Sequence, residues 1–367
     1  MASNSSGTLF RITTWGESHG KAIGVVIDGC PAGLPISDEE INRELSFRQG
    51  GKTPYVTPRG ELDEASIYSG VFEGKTTGAP LSIIIFNKDA DSSKYEPIKD
   101  LLRPGHANFT YLEKYGIFDY RGGGRSSARE TACRVAAGAV AKKLLAHFGV
   151  EIVAYIKAIG GIQMQSPSFD SPAQVRKKAQ ESPIFCPDSA ASAKMIQALE
   201  KVKEEGDSLG GIIEAVAFNL PIGLGDPVYE KLEANLAKAM LSLPATKGFE
   251  IGSGFAAAGM KGSEHNDAFI LDDKGNVTTE TNFAGGTLGG ISTGSPLIFR
   301  TAFKPTSSIK KPQKTVSTSK EKKEFKLPEG SRHDPCVTIR AVPIVEAMTA
   351  IVLADALLMN RVSKLSI

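Results

Sequence analysis

The stretch DYRGGGRSSARE, residues 119–130, constrains the fold and the ligand of this chain more than any other segment. It joins a flexible glycine turn and three arginines to the start of a helix. Ser127 and Glu130 have the spacing of a capping box, and the apolar run behind them ends at Phe148 and Gly149. The pattern predicts a helix that begins at Ser127 and points its free N–H groups and positive dipole end at the glycine turn.

This combination favours an anion-binding site. Arg125 and Arg129 are separated by about one helical turn, so both guanidinium groups could reach one ligand. The segment is not a P-loop, because that motif needs a lysine followed by serine or threonine after its last glycine. Two alternatives stay open on this segment alone, an ordinary surface turn and an Arg-Gly element of the kind found in RNA-binding tails.

Composition narrows the class of protein. The 367 residues include 41% apolar and 23% charged residues, with a net charge of +2. That length can bury a real core in one large domain or in two ordinary ones. The balanced charge argues against a protein that mainly coats nucleic acid or an anionic membrane, although it is compatible with a local basic cavity.

Cysteine usage and apolar runs give the expected compartment. The four cysteines are far apart and form no Cys-x-x-Cys pair, so we expect a reduced, cytoplasmic environment with neither zinc nor a disulfide framework. Residues 1–7 show no secretory signal. The most apolar segment, Ile344 to Met359, is interrupted by Glu346 and Asp355, which predicts a buried or amphipathic helix and no membrane span.

Local patterns predict a mixed architecture. Helices are expected after Ser37, after Ser171-Pro172 to about Gln180, from Ala190 to Glu205, from Asp226-Pro227 to Leu241, and after Pro343. Strands are expected at Ile23–Ile27, Leu81–Phe86, Glu151–Ile159, Ile212–Phe218 and Pro296–Phe303. Strands and helices do not alternate regularly, and no Gly-x-Gly-x-x-Gly follows a strand. An α+β fold with antiparallel sheets is therefore favoured over a doubly wound parallel one.

The segment from Lys304 to Lys326 is rich in lysine, serine and threonine and nearly free of large apolar side chains. It is predicted to be a long basic loop. It is either a solvated connector or a lid that touches an anionic ligand, and its length favours the lid.

Three of the five histidines lie in turn-like surroundings, namely His19, His106 and His333. Histidine in such a loop can donate a proton near neutral pH, although each could equally be a loop residue without a function. His147 and His265 are expected to be structural or exposed. No two histidines have metal-ligand spacing on one element, so no metal site is predicted.

Two further segments could contact a ligand. The glycine-rich run Asn282–Gly294 lets the backbone approach either a cofactor or a neighbouring element closely. Lys304-Pro305-Thr306-Ser307-Ser308 offers a cation and three hydroxyls to a phosphate.

Together, six blocks resemble in order the signature blocks of the chorismate synthase family: residues 16–20, 103–107, 119–130, 288–294, 304–308 and 332–336. The resemblance covers almost the whole chain. It implies that residues 1–367 form a single domain. It implies a β-α-β sandwich of antiparallel sheets around a helical layer, assembled as a homotetramer. It also implies 1,4-elimination of phosphate from 5-enolpyruvylshikimate 3-phosphate to give chorismate in aromatic amino acid biosynthesis. The implied cofactor is reduced FMN, with no net redox change.

The resemblance also implies residue roles. His19 would act on the leaving phosphate, His106 would stabilise the reduced flavin, and Asp334 would act near flavin N5. Substrate anions would be bound by Ser18, Arg48, Arg103, Arg129, Arg134 and Arg121. FMN would be held by Arg125, Ser126, Ser127, Gly289, Lys304, Pro305, Thr306, Ser307, Ser308 and Arg332.

Two positions depart from the family pattern. Lys52 stands where many members carry a second arginine after the one matching Arg48, and Pro244-Ala245 stands where an amide side chain is common. The chain has no obvious insertion for reducing its own flavin with NADPH, which favours an external flavin reductase. A nucleic-acid-binding protein and a phosphoryl-transfer enzyme are the rival readings. The first lacks interleaved aromatics, and the second lacks a carboxylate cluster for magnesium.

Overall fold

Helices and antiparallel sheets share the chain in the computed structural model, which describes residues 3–51, 53–57, 63–88, 92–165, 171–328, 330 and 334–365. The helices of these described ranges are α1 Asp38–Arg48, α2 Asn108–Tyr115, α3 Thr131–His147, α4 Pro172–Glu181, α5 Ser189–Glu204, α6 Leu232–Leu241, α7 Gly262–His265 and α8 Thr338–Asn360.

The strands follow the same order along the chain. They are β1 Ser5–Ser6, β2 Arg11–Gly16, β3 Ala22–Asp28, β4 Ala65–Ser69, β5 Val71–Phe72, β6 Lys75–Thr76, β7 Leu81–Phe86, β8 Glu151–Ile159, β9 Ile162–Gln163, β10 Gly211–Phe218, β11 Thr246–Ile251, β12 Phe269–Leu271, β13 Val277–Thr279, β14 Thr287–Leu288, β15 Ile291–Ser292, β16 Leu297–Phe303, β17 Gln313–Val316 and β18 Lys322–Phe325.

Two antiparallel five-stranded sheets organise the chain. The first has the order β1-β2-β3-β7-β4, with Val25 opposite Ile83 in its centre. The second has the order β11-β16-β10-β8-β9, with Ala215 opposite both Phe299 and Ala154. Inward-facing residues of both sheets are fully buried, so each sheet contributes one wall of the apolar core. The predicted α+β class is confirmed.

Helices α3 and α8 pack closely against each other in the core. A Cβ atom on Gly138 of α3 would lie 2.3 Å from the Cβ of Ala347 in α8, so only glycine permits this approach. Helix α3 contacts β3 and β7 of the first sheet and β8 of the second, whereas α8 contacts β8 and β10. The two helices therefore connect the cores of both sheets.

Helix α8 is long and apolar enough, by length and composition, to cross a bilayer. The helix is thus longer than the apolar segment Ile344 to Met359 identified in the sequence. However, 78% of its most apolar 18-residue window is buried inside the protein, which is also the pattern of a core helix.

Several helix and strand predictions are confirmed. Ser37 Oγ accepts a hydrogen bond from the Glu40 amide, and Ser171 Oγ accepts one from Gln174, so both predicted caps form. The helix predicted after Ala190 is α5, which Asp188 caps. The five predicted strands match β3, β7, β8, β10 and β16.

Other predictions need correction. The helix expected from Asp226 begins only at Leu232, because Val228 has a left-handed φ of 70° and ends any helical path there. Helix α8 begins at Thr338, ahead of Pro343, so the proline lies inside the helix, where burial of the surrounding apolar residues offsets its cost.

The segment from Lys304 to Lys326 is not a loop throughout. Strands β17 and β18 form a hairpin in its second half, in which Gln313 pairs with Phe325. The Phe325 side chain is buried, and it supplies the apolar anchor that the polar composition concealed.

Candidate active site

A cavity of about 560 Å³ lies where loops of both sheets meet the first residues of α8 and the turn before α3. It brings together most of the residues expected to act on a ligand. Its lining includes Ser18, His19, Arg48, Arg103, His106, Ser126, Ser127, Arg129 and all five residues from Lys304 to Ser308. Segments almost 300 residues apart in sequence thus line one space.

The glycine turn forms one wall of this cavity. Gly122 has a φ of 66°, and a Cβ there would lie 2.7 Å from His19 Cδ2 and 2.8 Å from Ser18 Oγ. Only glycine allows the turn to pack this closely against His19. Arg103 donates from Nη2 to the Gly122 carbonyl, and its guanidinium lies 5.7 Å from the ring centre of Tyr95.

The helix start differs from the predicted capping box. Ser127 Oγ does cap the turn, but it accepts from the Arg129 amide, and a 3-10 turn precedes α3. The Glu130 carboxylate does not return to Ser127, because it accepts hydrogen bonds from Thr14 Oγ1 and Arg134 Nε, each at 2.8 Å. The reciprocal box predicted from the spacing does not form; the helix does start at Ser127, but as a 3-10 turn that becomes α-helical only at Thr131.

Arg48 and Arg129 share one buried carboxylate, that of Asp63. Arg48 Nη1 lies 2.5 Å from Asp63 Oδ2, and Arg129 Nη1 donates to Asp63 Oδ1. Burial lowers the pKa of Arg48 to about 10, which Asp63 partly offsets. Burial alone would raise the pKa of Asp63, but Arg48 and Arg129 outweigh it and hold the pKa below its ordinary value. Arg48 and Asp63 are therefore both charged at neutral pH.

Sequence reasoning missed Asp63. It lies just before β4, 15 residues from Arg48 and 66 residues from Arg129. No local spacing links an aspartate there to either arginine. Only the fold brings the three side chains together.

The two histidines have defined partners. His19 Nδ1 lies 2.9 Å from Ser92 Oγ, and its ring packs edge-on against Tyr95 at 5.2 Å. His106 Nδ1 lies 2.9 Å from the Pro104 carbonyl, which can only accept, so Nδ1 carries a proton. In the neutral ring, Nε2 then accepts from Ser308 Oγ at 3.0 Å.

The segment from Lys304 to Ser308 forms a further part of the cavity lining. Lys304 Nζ donates to the Gly105 carbonyl at 2.9 Å and to Ser307 Oγ at 2.8 Å. Burial and then the neighbouring Lys247 lower the pKa of Lys304. The Ser208 hydroxyl donates to the Thr306 carbonyl, which fixes the segment against the residues just before β10.

Asp334 lies beside the cavity and not in its lining. It accepts a hydrogen bond from the Thr57 amide at 2.8 Å and pairs with Arg340 Nη1 at 3.3 Å. Arg340 does line the cavity and also donates from Nε to the Arg48 carbonyl. Asp334 is thus connected to the arginine cluster through Arg340.

Four residues expected at the site lie elsewhere. Arg125 donates to the Thr14 carbonyl and, with Arg134, lines a second cavity of about 590 Å³. The pairing of Arg134 with Glu130 turns it toward that cavity. Gly289 lies in the turn between β14 and β15, and Arg121 pairs with Asp119 at the surface. Arg332, His333 and Lys52 lie outside the described residues.

Several buried polar atoms in the lining lack a partner among the residues that the structure describes. They are Ser18 Oγ, Asn108 Oδ1 and Thr306 Oγ1. Buried polar groups are normally hydrogen-bonded, so these atoms fit a polar ligand in the cavity. Within the described ranges, no group of three or more His, Cys, Asp or Glu side chains could hold a metal ion.

The fold and this cavity define an enzyme site for a polyanionic small molecule, with five cationic side chains in the lining and two histidines placed to handle protons. Its volume lies in the range of cofactor and substrate pockets. The spare polar atoms and the hydroxyls of Ser126, Ser127, Thr306 and Ser307 are compatible with a phosphate-bearing flavin beside a substrate.

Comparison with known proteins agrees with this class. The chorismate synthase family model matches residues 10–358. The chain is 58% identical over 370 residues to a chorismate synthase of Protochlamydia amoebophila (strain UWE25), covering 100% of both chains. It is 52% identical over 359 residues to a chorismate synthase of Methanosarcina mazei, covering 98% of this chain and 97% of the other.

A solved structure shows the same likeness. A crystal structure of chorismate synthase superposes with a TM-score of 0.77 at 35% identity, covering 96% of this chain and 93% of that one. The chain belongs to the chorismate synthase family. It accordingly has lyase activity that forms chorismate in aromatic amino acid biosynthesis.

Proposed function

We propose that this enzyme eliminates phosphate from 5-enolpyruvylshikimate 3-phosphate in a 1,4-elimination that requires reduced FMN and causes no net redox change. The observation that carries the proposal is the convergence of Arg48, Arg103, Arg129 and Lys304 on one cavity with His19 and His106. A substrate with one phosphate and two carboxylates needs such a set of cations.

The residues divide the chemistry among them. Arg48, Arg103 and Arg129 bind and orient the substrate anions in a space whose low dielectric strengthens each contact. His19 protonates or hydrogen-bonds the leaving phosphate, and Ser18 Oγ offers a further donor beside it. Transfer of a proton to the phosphate disperses the charge that develops as the C–O bond breaks.

The same cavity would also hold the flavin. The residues from Lys304 to Ser308, with Ser126 and Ser127, would hold FMN, and bound reduced flavin supplies electron density to the substrate. His106, whose Nε2 the Ser308 hydroxyl orients, would stabilise bound reduced flavin once that nitrogen carries a proton. Asp334, which lies beside the lining and pairs with Arg340, would act near N5 of the bound flavin.

Other expected properties belong to the same proposal. Helices α3 and α8 between the two sheets support a β-α-β sandwich. We further propose a cytoplasmic homotetramer that depends on an external flavin reductase and binds neither nucleic acid nor membrane. Phe255 and Phe269 are exposed apolar side chains, which supports their burial between the subunits of an oligomer.

The test is anaerobic turnover of the enolpyruvyl substrate with chemically reduced FMN, with oxidised FMN, and with oxidised FMN plus NADPH. The proposal predicts activity in the first arm only. Equal activity in all three arms would refute the requirement for reduced flavin and favour a phosphoryl-transfer enzyme. Activity with NADPH would show that this chain reduces its own flavin.

A further inference from the structure

Asp63 has an unusual place in the cavity. Its carboxylate belongs to the lining, yet the residue is only 4% exposed. One oxygen accepts from Arg48 Nη1 and the other from Arg129 Nη1. A single internal anion thus occupies terminal N–H groups on two of the cations assigned to the substrate.

Arg48 is held in place by more than Asp63. Its Nε donates to Thr131 Oγ1 at 3.0 Å, and its Nη2 donates to the Ala128 carbonyl at 2.8 Å. These neutral acceptors fix the plane of the guanidinium.

Arg129 is held in the same way. Its Nε donates to Asn87 Oδ1 at 2.8 Å, and its Nη2 donates to the Phe86 carbonyl at 3.4 Å. Neutral acceptors at the end of β7 therefore orient Nε and Nη2 of Arg129, the two nitrogens that do not contact Asp63. What Asp63 adds to the two arginines is mainly negative charge.

We propose that Asp63 is an internal counter-ion that competes with the anionic groups of the substrate for Arg48 and Arg129, and so limits the affinity of the cavity for its ligand. The identity of the ligand rests on the proposed function, whereas the pairing itself does not. A carboxylate beside both arginines repels an incoming phosphate or carboxylate, whether the ligand displaces Asp63 or binds next to it. The benefit is that, in the empty site, one of the two buried positive charges is neutralised.

The experiment is calorimetric titration of inorganic phosphate into the wild-type protein and two variants, without substrate or flavin. Asp63→Asn keeps the shape of the side chain and removes its charge. Glu346→Gln is the matched control, because Glu346 is also a buried carboxylate but pairs with Lys142 at 2.6 Å and lines a different cavity.

Asp63→Asn should bind phosphate about tenfold more tightly or better, because a close like charge has been removed. Glu346→Gln should bind it as the wild type does. Unchanged or weaker binding by Asp63→Asn would overturn the proposal, because Asp63 would then only position the arginines.

A second comparison applies if Asp63→Asn does not fold. Arg48→Gln leaves Asp63 paired with Arg129, and adding Asp63→Asn to that variant should restore phosphate affinity. No gain in the double variant would also overturn the proposal. Failure of the proposed function is separately visible, because it appears as absence of wild-type turnover with reduced FMN and leaves the phosphate titrations unaffected.

Discussion

Replacing Gly122 by Ala should lower turnover far more than it lowers stability. The new Cβ would lie 2.7 Å from His19 Cδ2 and 2.8 Å from Ser18 Oγ, so the loop and the histidine must move apart. A shift of about 1 Å in a catalytic group can lower the rate by about a hundredfold. The left-handed φ of 66° adds a backbone cost of about 1–2 kcal/mol to the free energy of folding.

Gly74→Ala separates these two effects. Gly74 has a similar φ of 73°, and nothing lies within 4 Å of a Cβ placed there. Both variants should therefore lose about 1–2 kcal/mol in the free energy of unfolding by urea denaturation. Only Gly122→Ala should lose about a hundredfold in kcat/KM. Equal kcat/KM in the two variants would refute the inference that the glycine turn positions His19.

Three other predictions concern charged residues in or beside the cavity. Arg129→Ala should weaken substrate binding by about 2 kcal/mol or more at both low and high salt, because the side chain is buried and poorly screened. Equal substrate affinities of variant and wild type in high salt would show that Arg129 only attracts the ligand from a distance. Asp334→Asn should lose turnover but still bind oxidised FMN, and parallel loss of both would make Asp334 a binding residue. The depressed pKa of Asp63 contributes stability at neutral pH that is lost as the pH falls below the ordinary value of 3.8. Acid unfolding should thus be less steep in Asp63→Asn, and an identical pH profile would contradict the buried pairing.

The sequence was most informative where one local segment carries several constraints. The glycine turn, Ser127 and the arginines around them predicted an anion site because their spacing already requires a turn next to a helix start. Caps at Ser37 and Ser171 were predictable for the same reason, since a capping residue and its partner are three positions apart.

Longer-range features were not predictable in this way. Asp63 and Asn87 reach Arg129 only because β4 and β7 pair in the first sheet. Glu130 fits a capping box by spacing, yet Thr14 and Arg134 offer its carboxylate better partners. The arrangement of partners around a buried charge depends on the tertiary fold, which local spacing does not encode.

The polar segment after Lys304 shows a further limit of composition. Its lysines and threonines suggested a loop, but alternation around the buried Phe325 is enough to form a hairpin. A single apolar anchor on a short strand gives a weak periodic signal. By contrast, the residues from Lys304 to Ser308, which the family resemblance covers as one block, all line the cavity.

The measurement that tests the central claim most directly is the number of chorismate molecules formed per molecule of reduced FMN under strict anaerobiosis. Phosphate release and flavin absorbance should be followed in the same cuvette. The account predicts many turnovers per flavin, one phosphate released per chorismate, and a flavin that is still reduced when the substrate is exhausted. One product per flavin oxidised, or the same rate without any flavin, would contradict it.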